Sequence, residues 1–279
     1  MTLLAVVELG RGPVPVDTPV LYADDEGLLR GRAVFETLRV YAGTPFRLEA
    51  HLDRLAGSAA RLGLPAPDRA GFEEAATAAV AASGEGDLVL RFLWSAGREG
   101  AGRPVGIALA STLPAGLEEL RARGLRLDVV EWAPGALAGA KSTSYAANMA
   151  AQAQAQRHGA DDALLVDPAD VVLEAPTSNV WLREGDLLVT PALELPILAG
   201  ITRAALLELA PAGGYAVEEA VFVLDRLVAA DEVFTSSSVR EVMPVTAIGG
   251  APVGDGVPGP AAAALERALR VAAGYPLTR

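Results

Sequence analysis

The chain has 279 residues, is 51% hydrophobic and 21% charged, and carries a formal net charge of −12 with no cysteine. That length suits one large or two ordinary domains with a full core. The composition excludes a disulfide framework, a thiolate metal site and a cysteine nucleophile, and its acidity argues against a nucleic-acid partner.

The two histidines, His51 and His158, are too few for a multi-histidine metal site, so no metal is expected. A Ser-His-Asp hydrolase would have to use one of them. No stretch approaches the ~18 apolar residues needed to cross a bilayer. The start, Met1 to Glu8, lacks a basic flank and a signal-type apolar run. The expectation is a cytoplasmic protein with no membrane partner.

In chain order, residues 3–9 and 20–22 read as short strands around the turn at 10–13. Residues 34–41 alternate and are β-rich, 42–45 is their turn, and 46–48 begins another strand. Residues 49–62 carry Leu52, Leu55, Ala59 and Leu62 at helical spacing, with Gly63 as a stop. A second, Ala-rich helix covers 71–82, and strands follow at 87–95 and 105–111.

The Pro/Gly turn at 113–116 is the best boundary, and 117–123 reads as a short helical linker. After a strand at 125–131 and a loop at 133–140, the run of small residues predicts a helix over 142–158 ending at Gly159. Strands are expected at 163–166, 171–173, 180–182, 187–190, 217–219 and 232–235, and helices at 201–210, 223–229 and 260–273. Strands and helices mix without strict alternation, and no repeat is visible. This predicts an α+β protein with domains at 1–113 and 124–279 joined by a linker at 114–123.

Of the 23 basic residues only one is a lysine, Lys141. A chain that uses arginine wherever a surface cation will do raises the question of what this amine does. A desolvated amine can lose its proton and form a Schiff base with a carbonyl, which a guanidinium cannot. Glu174 ends an apolar run, where a carboxylate is unusual unless paired. Three elements suit an anion: the helix start Gly200-Ile201-Thr202, the strand end Ser236-Ser237-Ser238, and Arg54 on the helix at 49–62. Each has a plainer reading, as an N-cap, a strand end or a solvated side chain. Tyr145, four residues after Lys141, would stack over it in a helix begun by Ser142. Arg39 and Arg91 lie within apolar strands and need a carboxylate in the fold or in a substrate. A nucleophilic lysine, a carboxylate, a phenol and three anion-binding elements together describe a pyridoxal phosphate site.

The chain resembles the class IV aminotransferases, the fold-type IV pyridoxal phosphate enzymes that include D-amino acid and branched-chain aminotransferases and 4-amino-4-deoxychorismate lyases. The matching stretches are Phe35-Glu36-Thr37-Leu38-Arg39 with His51-Leu52-Asp53-Arg54-Leu55, Lys141-Ser142-Thr143-Ser144-Tyr145-Ala146-Ala147-Asn148, Glu174-Ala175-Pro176-Thr177-Ser178-Asn179, Gly200-Ile201-Thr202-Arg203, and residues 230–238 through Glu241-Val242-Met243-Pro244-Val245. They occur in the family's order from about residue 24 to 250.

The resemblance implies two α+β domains with the cofactor between them and a homodimer. It makes Lys141 the Schiff-base lysine and Glu174 the partner of the pyridine nitrogen. Arg54, Ile201, Thr202, Ser237 and Ser238 become the phosphate site. Tyr145 falls one residue short of the branched-chain enzymes' cofactor tyrosine. Two motifs depart from the family: Gly31-Arg32-Ala33 replaces Gly-Asp-Gly, and Glu174-Ala175 replaces Glu-Gly.

The leading expectation is an aminotransferase passing an amino group from a D-amino acid or (R)-amine to an α-keto acid. Phe35 and Thr37 would line its substrate site, and Arg39, Arg91 or Arg98 would hold the substrate carboxylate. The alternative is an aminodeoxychorismate lyase releasing 4-aminobenzoate and pyruvate. The loop 95–104 matches the lyases' glycine-arginine stretch only in part, and it lacks the Arg-x-His pair of D-amino acid aminotransferases. A non-catalytic cofactor carrier is a third possibility, against which Lys141 and Glu174 argue.

Overall fold

The computed structural model describes residues 1–84 and 86–275. The chain separates into two compact units, one of Met1–Ala115 with Gly139–Tyr145, the other of Gly116–Ala138 and the chain from Ala146 onward. Each mixes helices with its own sheet, so the chain is α+β. Among the described residues no helix is long and apolar enough to cross a membrane.

The first unit is built on an antiparallel sheet of β1 (Leu3–Glu8), β2 (Gly12–Val14), β3 (Ala33–Tyr41), β4 (Thr44–Pro45), β5 (Leu88–Ser95) and β6 (Val105–Thr112), in the order β2-β1-β6-β5-β3-β4. The helices α2 (Leu48–Arg61) and α3 (Arg69–Ser83) supply Leu52, Leu55, Ala59, Phe72 and Ala79 to a core with Val34, Leu38, Val40, Leu90 and Phe92 of the sheet. Strand periodicity puts Val34, Glu36, Leu38 and Val40 on this core face, and Phe35, Thr37 and Arg39 on the other. The strand expected at 20–22 does not form, nor does one at 46–48. A short helix α1 (Glu26–Arg30) follows instead, bracketed by the Asp25 side chain accepting from Gly27 N (2.8 Å) and by Gly31 at φ 65°. Five residues are too few to show a helical apolar period.

Residues 139–145 belong to this unit because their backbone joins the edge of β3. Phe35 N donates to the Lys141 carbonyl (3.0 Å) and Thr143 N to the Ala33 carbonyl (2.9 Å). The helix expected from 142 therefore begins later, as α5 (Ala146–Arg157).

The second unit holds α4 (Leu117–Arg123), β7 (Leu125–Glu131), β8 (Asp162–Val166), β9 (Asn179–Glu184), β10 (Leu187–Pro191), α6 (Ile201–Leu209), β11 (Ala216–Ala220), α7 (Leu224–Val228), β12 (Glu232–Ser237), β13 (Glu241–Ile248), β14 (Ala251–Pro252) and α8 (Pro260–Ala272). Its mixed sheet runs β11-β10-β9-β12-β13-β7-β8, with β14 beside β13. The stretch read as a linker includes α4, whose Leu117 and Leu120 pack on this unit's core. The expected strand at 171–173 makes only isolated bridges, Val171 to Val223 and Val172 to Val166. Sequence reading missed β13, because Pro244 interrupts its apolar run. The proline is accommodated because β7 pairs with β13 only from Val245 onward. Trp181 of β9 stacks on Phe234 of β12 (5.9 Å between centroids) in a core completed by Leu206 of α6 and Leu265 of α8.

Candidate active site

In the first unit, Lys141 sits on the segment strapped to β3. Its backbone N–H donates to the hydroxyl of Ser58 on α2 (3.0 Å). With its carbonyl committed to Phe35, both backbone groups of this residue are held, which limits where the amine can reach. Nζ lies 4.5 Å from the Phe35 ring centroid and 6.0 Å from that of Tyr145, and those two rings meet edge to face at 5.5 Å. Tyr145 thus reaches Lys141 from a non-helical segment, its N–H donating to the Thr143 carbonyl (2.7 Å), and not from a helix.

Behind this segment, Glu36 is the one charged side chain that β3 turns toward the core, and it is fully buried. Arg54 donates to it through Nε and one Nη, each at 2.7 Å, and His51 Nδ1 lies 2.7 Å away. Burial pushes Glu36 upward, but the charge and hydrogen bonds of Arg54, aided by His51, outweigh it and hold the carboxyl at about 2. Burial lowers His51, and the charges of Arg54 and Lys141 add to the effect against the pull of Glu36. Arg54 is therefore an oriented cation, not the solvated side chain its helical position suggested. Glu36, His51 and Ser58 were not picked out as site residues. The available signal was a carboxylate at a core-facing strand position, which needs a cationic partner.

The substrate candidates separate. Phe35 and Thr37 share the sheet face opposite the core, and Arg91 of β5 is the cross-strand neighbour of Thr37. Among the described residues no carboxylate lies within ion-pairing distance of Arg91, whose guanidinium lies near the Met1 sulfur (3.6 Å), and burial lowers its pKa. Arg39 is buried against Asp87 (2.9 Å) and Tyr41, and Arg98 grips Asp24 through two nitrogens while covering Tyr22. These two serve ion pairs within the fold.

In the second unit, Glu174 follows the bridge-forming segment at 171–173. Its Oε2 accepts from Asn179 Nδ2 (3.1 Å) and Leu198 N (3.1 Å). Asn179 also donates to the Leu198 carbonyl (2.9 Å), and its side-chain oxygen lies where a Cβ on Gly200 would go. Glu174, Asn179 and the start of α6 are thus one assembly. No side chain caps α6 at Gly200, and Thr202 is buried one residue into the helix and is not its cap. Asn179 pairs with Ser236 across β9 and β12, so Ser237 and Ser238 continue past the same strand end. Asn179 was not singled out by sequence reading, because its role depends on contacts 5 and 19 residues away.

The donor set suits pyridoxal phosphate. Taken separately, the first unit offers an amine and an oriented guanidinium, and the second a carboxylate with one oxygen fixed by two donors, hydroxyls and a helix start. These are the side-chain types that a pyridoxal-phosphate-dependent enzyme uses.

Residues 33–248 match the family model for amino-transferase class IV. The chain belongs to the class IV aminotransferase family, whose members use pyridoxal phosphate. It is 40% identical over 216 residues to a bifunctional aminodeoxychorismate lyase / D-amino acid transaminase of Mycobacterium tuberculosis, covering 71% of this chain and 75% of that protein. It is 30% identical to the D-alanine aminotransferase of Bacillus licheniformis, covering 88% of this chain and 89% of that one. Among solved structures, a hypothetical aminotransferase from Mycobacterium tuberculosis in its PLP-bound form superposes with a TM-score of 0.90 at 32% identity, covering 96% and 98% of the two chains.

Proposed function

We propose that this chain transfers the amino group of a D-amino acid or (R)-amine to an α-keto acid. The similarity that carries this reading is to the Mycobacterium tuberculosis lyase/transaminase, with the D-alanine aminotransferase in support. A cytoplasmic homodimer is part of the same proposal. For the dimer, the supporting observation is the exposed apolar pair Leu28 and Leu29 on α1.

Bound pyridoxal phosphate supplies a carbonyl for the amine and a ring that accepts an electron pair. Lys141 Nζ would take the proton from the substrate's Cα and deliver it to C4′ of the cofactor, the shift that moves the amino group. Glu174, steadied by Asn179 and Leu198 N, holds a proton at the pyridine nitrogen. Arg54, Thr202, Ser237, Ser238 and the N–H of Ile201 bind the phosphate. Tyr145 and Phe35 flank Lys141 and exclude water from its amine. Thr37 lines the substrate site, and Arg91 takes the substrate carboxylate, since Arg39 and Arg98 already hold Asp87 and Asp24.

The test is a half-reaction. Holoenzyme receives D-alanine, D-glutamate, L-leucine or an (R)-amine with no keto acid present, and the released carbonyl product is counted. About one product per site from a D-donor or (R)-amine supports the reading, whereas product from L-leucine alone reverses the handedness. No product from any donor makes the lyase the leading reading, an activity that the bifunctional name of the 40%-identical relative also includes. Pyruvate and 4-aminobenzoate would then be sought from aminodeoxychorismate.

A further inference from the structure

The turn between β12 and β13 carries Ser237 and Ser238 and ends at Glu241, which is held at φ 58°. A left-handed conformation is unfavourable for an ordinary residue and persists only where its surroundings impose it. The surroundings here are unusually specific. Glu241 is fully buried, and its carboxylate accepts from Arg270 Nε (3.1 Å to each oxygen) and Nη2 (2.7 Å) and from Arg121 Nη2 (3.1 Å). Arg121 also donates to the backbone carbonyls on both sides, Arg240 (3.0 Å) and Val242 (3.3 Å). One guanidinium therefore grips three consecutive residues. Glu118 and Glu266 pair with both arginines and fix them in turn.

The other side of the turn is held as well. Arg240 Nη1 donates to the buried Asp162 (2.7 Å), and Arg240 N donates to the Ser237 hydroxyl (3.3 Å). Asp162 itself accepts from Gln152 of α5 (3.2 Å) and from Ala163 N (3.0 Å). A loop pinned at every residue from 240 to 242 has little freedom left in the two serines before it.

We propose that Arg121 and Arg270, acting through Glu241, are positioning residues that hold the Ser237-Ser238 turn in the conformation that receives the cofactor's phosphate. The inference rests on the assignment of Ser237 and Ser238 to the phosphate. None of the clamp residues touches the cofactor. The clamp preorganises its donors, so their ordering is not charged against binding.

The experiment compares pyridoxal phosphate with pyridoxal, which lacks the phosphate, in equilibrium titrations of the apoenzyme. Glu241→Asn keeps a residue that tolerates the left-handed conformation but loses the double ion pair. Arg121→Lys keeps the charge but not the fork that spans two carbonyls and a carboxylate. Both variants are expected to bind pyridoxal phosphate about tenfold more weakly, equivalent to ~1.4 kcal/mol, with pyridoxal affinity unchanged. The phosphorus resonance of the bound cofactor is expected to move in both. Equal loss for the two ligands, or no loss for either, overturns the clamp.

Ser238→Ala is the control. If it loses the preference for the phosphorylated ligand while Glu241→Asn keeps it, the clamp is wrong and the phosphate assignment stands. If Ser238→Ala keeps the preference, the assignment falls and the clamp falls with it. Should Arg121→Lys not fold, Glu241→Asn and Arg270→Gln decide the matter by the same two titrations.

Discussion

Glu36 holds Arg54 through two parallel hydrogen bonds of 2.7 Å each, across 18 residues of sequence and from a fully buried strand position. The geometry sets the plane of the guanidinium before any anion arrives. Glu36→Gln removes the buried charge that pairs with the mostly buried Arg54, a loss of about 3 kcal/mol. Urea denaturation of the apoenzyme measures it. A midpoint unchanged from wild type would show that Arg54 does not depend on Glu36.

The same cluster makes stability depend on pH. Glu36 is held at about 2 against an ordinary 4.5, and Asp161, paired with Arg123, at about 2 against 3.8. A depressed carboxylate binds its proton more readily in the unfolded chain, so its contribution is complete above about 4.5 and fades as pH falls toward 2. His51 is lowered from 6.5, so it too stabilises the fold at high pH and withdraws that support below 6.5. The melting temperature should begin to decline below about pH 6.5 and fall more steeply below about 4.5. In Glu36→Gln the steep limb should be shallower, and an identical pH profile would remove Glu36 from the account.

Lys141 is the one amine that the chain can offer to the cofactor's carbonyl, apart from the N-terminus. Lys141→Ala should abolish turnover and leave no borohydride-stable cofactor adduct on the 133–145 peptide by mass spectrometry. Lys141→Arg should do the same, since a guanidinium stays protonated. Full turnover in either variant contradicts the mechanism.

Gly200 is required for the space it leaves, not for its backbone angle, since φ is −70°. A Cβ there would displace the Asn179 side chain, which steadies Glu174. Gly200→Ala should weaken pyridoxal phosphate and pyridoxal alike by about tenfold, ~1.4 kcal/mol, because it disturbs the ring-nitrogen contact that both share. A loss confined to pyridoxal phosphate would instead place the effect at the phosphate.

The arginines offer a kinetic discrimination. Arg91→Ala should raise KM about tenfold for amino acids and leave KM for simple amines near wild type, the cost of one charge-assisted contact. Arg98→Ala should change neither, since Arg98 is exposed on Asp24. Equal effects of Arg91→Ala on both substrate types would make Arg91 structural.

The residues by themselves posed the chemical questions and marked out several helices. The lone Lys141 posed its question from a count, Glu174 from its place at the end of an apolar run, and the helices α2 and α3 showed themselves by apolar spacing and by a run of alanines. Those are local properties, in which each residue reports its own backbone preference or its own reactivity. The family motifs add order, which is also written along the chain.

What only the tertiary structure decided was non-local. The helix after Lys141 begins at Ala146 because residues 141–143 give their backbone hydrogen bonds to β3, a competition that no helical propensity records. Pro244 sits within a strand because β7 joins β13 only beyond it. The sequence left the partners of Arg39 and Arg98 open, and in the fold Asp87 and Asp24 lie beside them, 48 and 74 residues away. A charge in a sequence shows that it needs a partner, but the fold chooses which, because the energy of a buried ion depends on distances of a few ångströms.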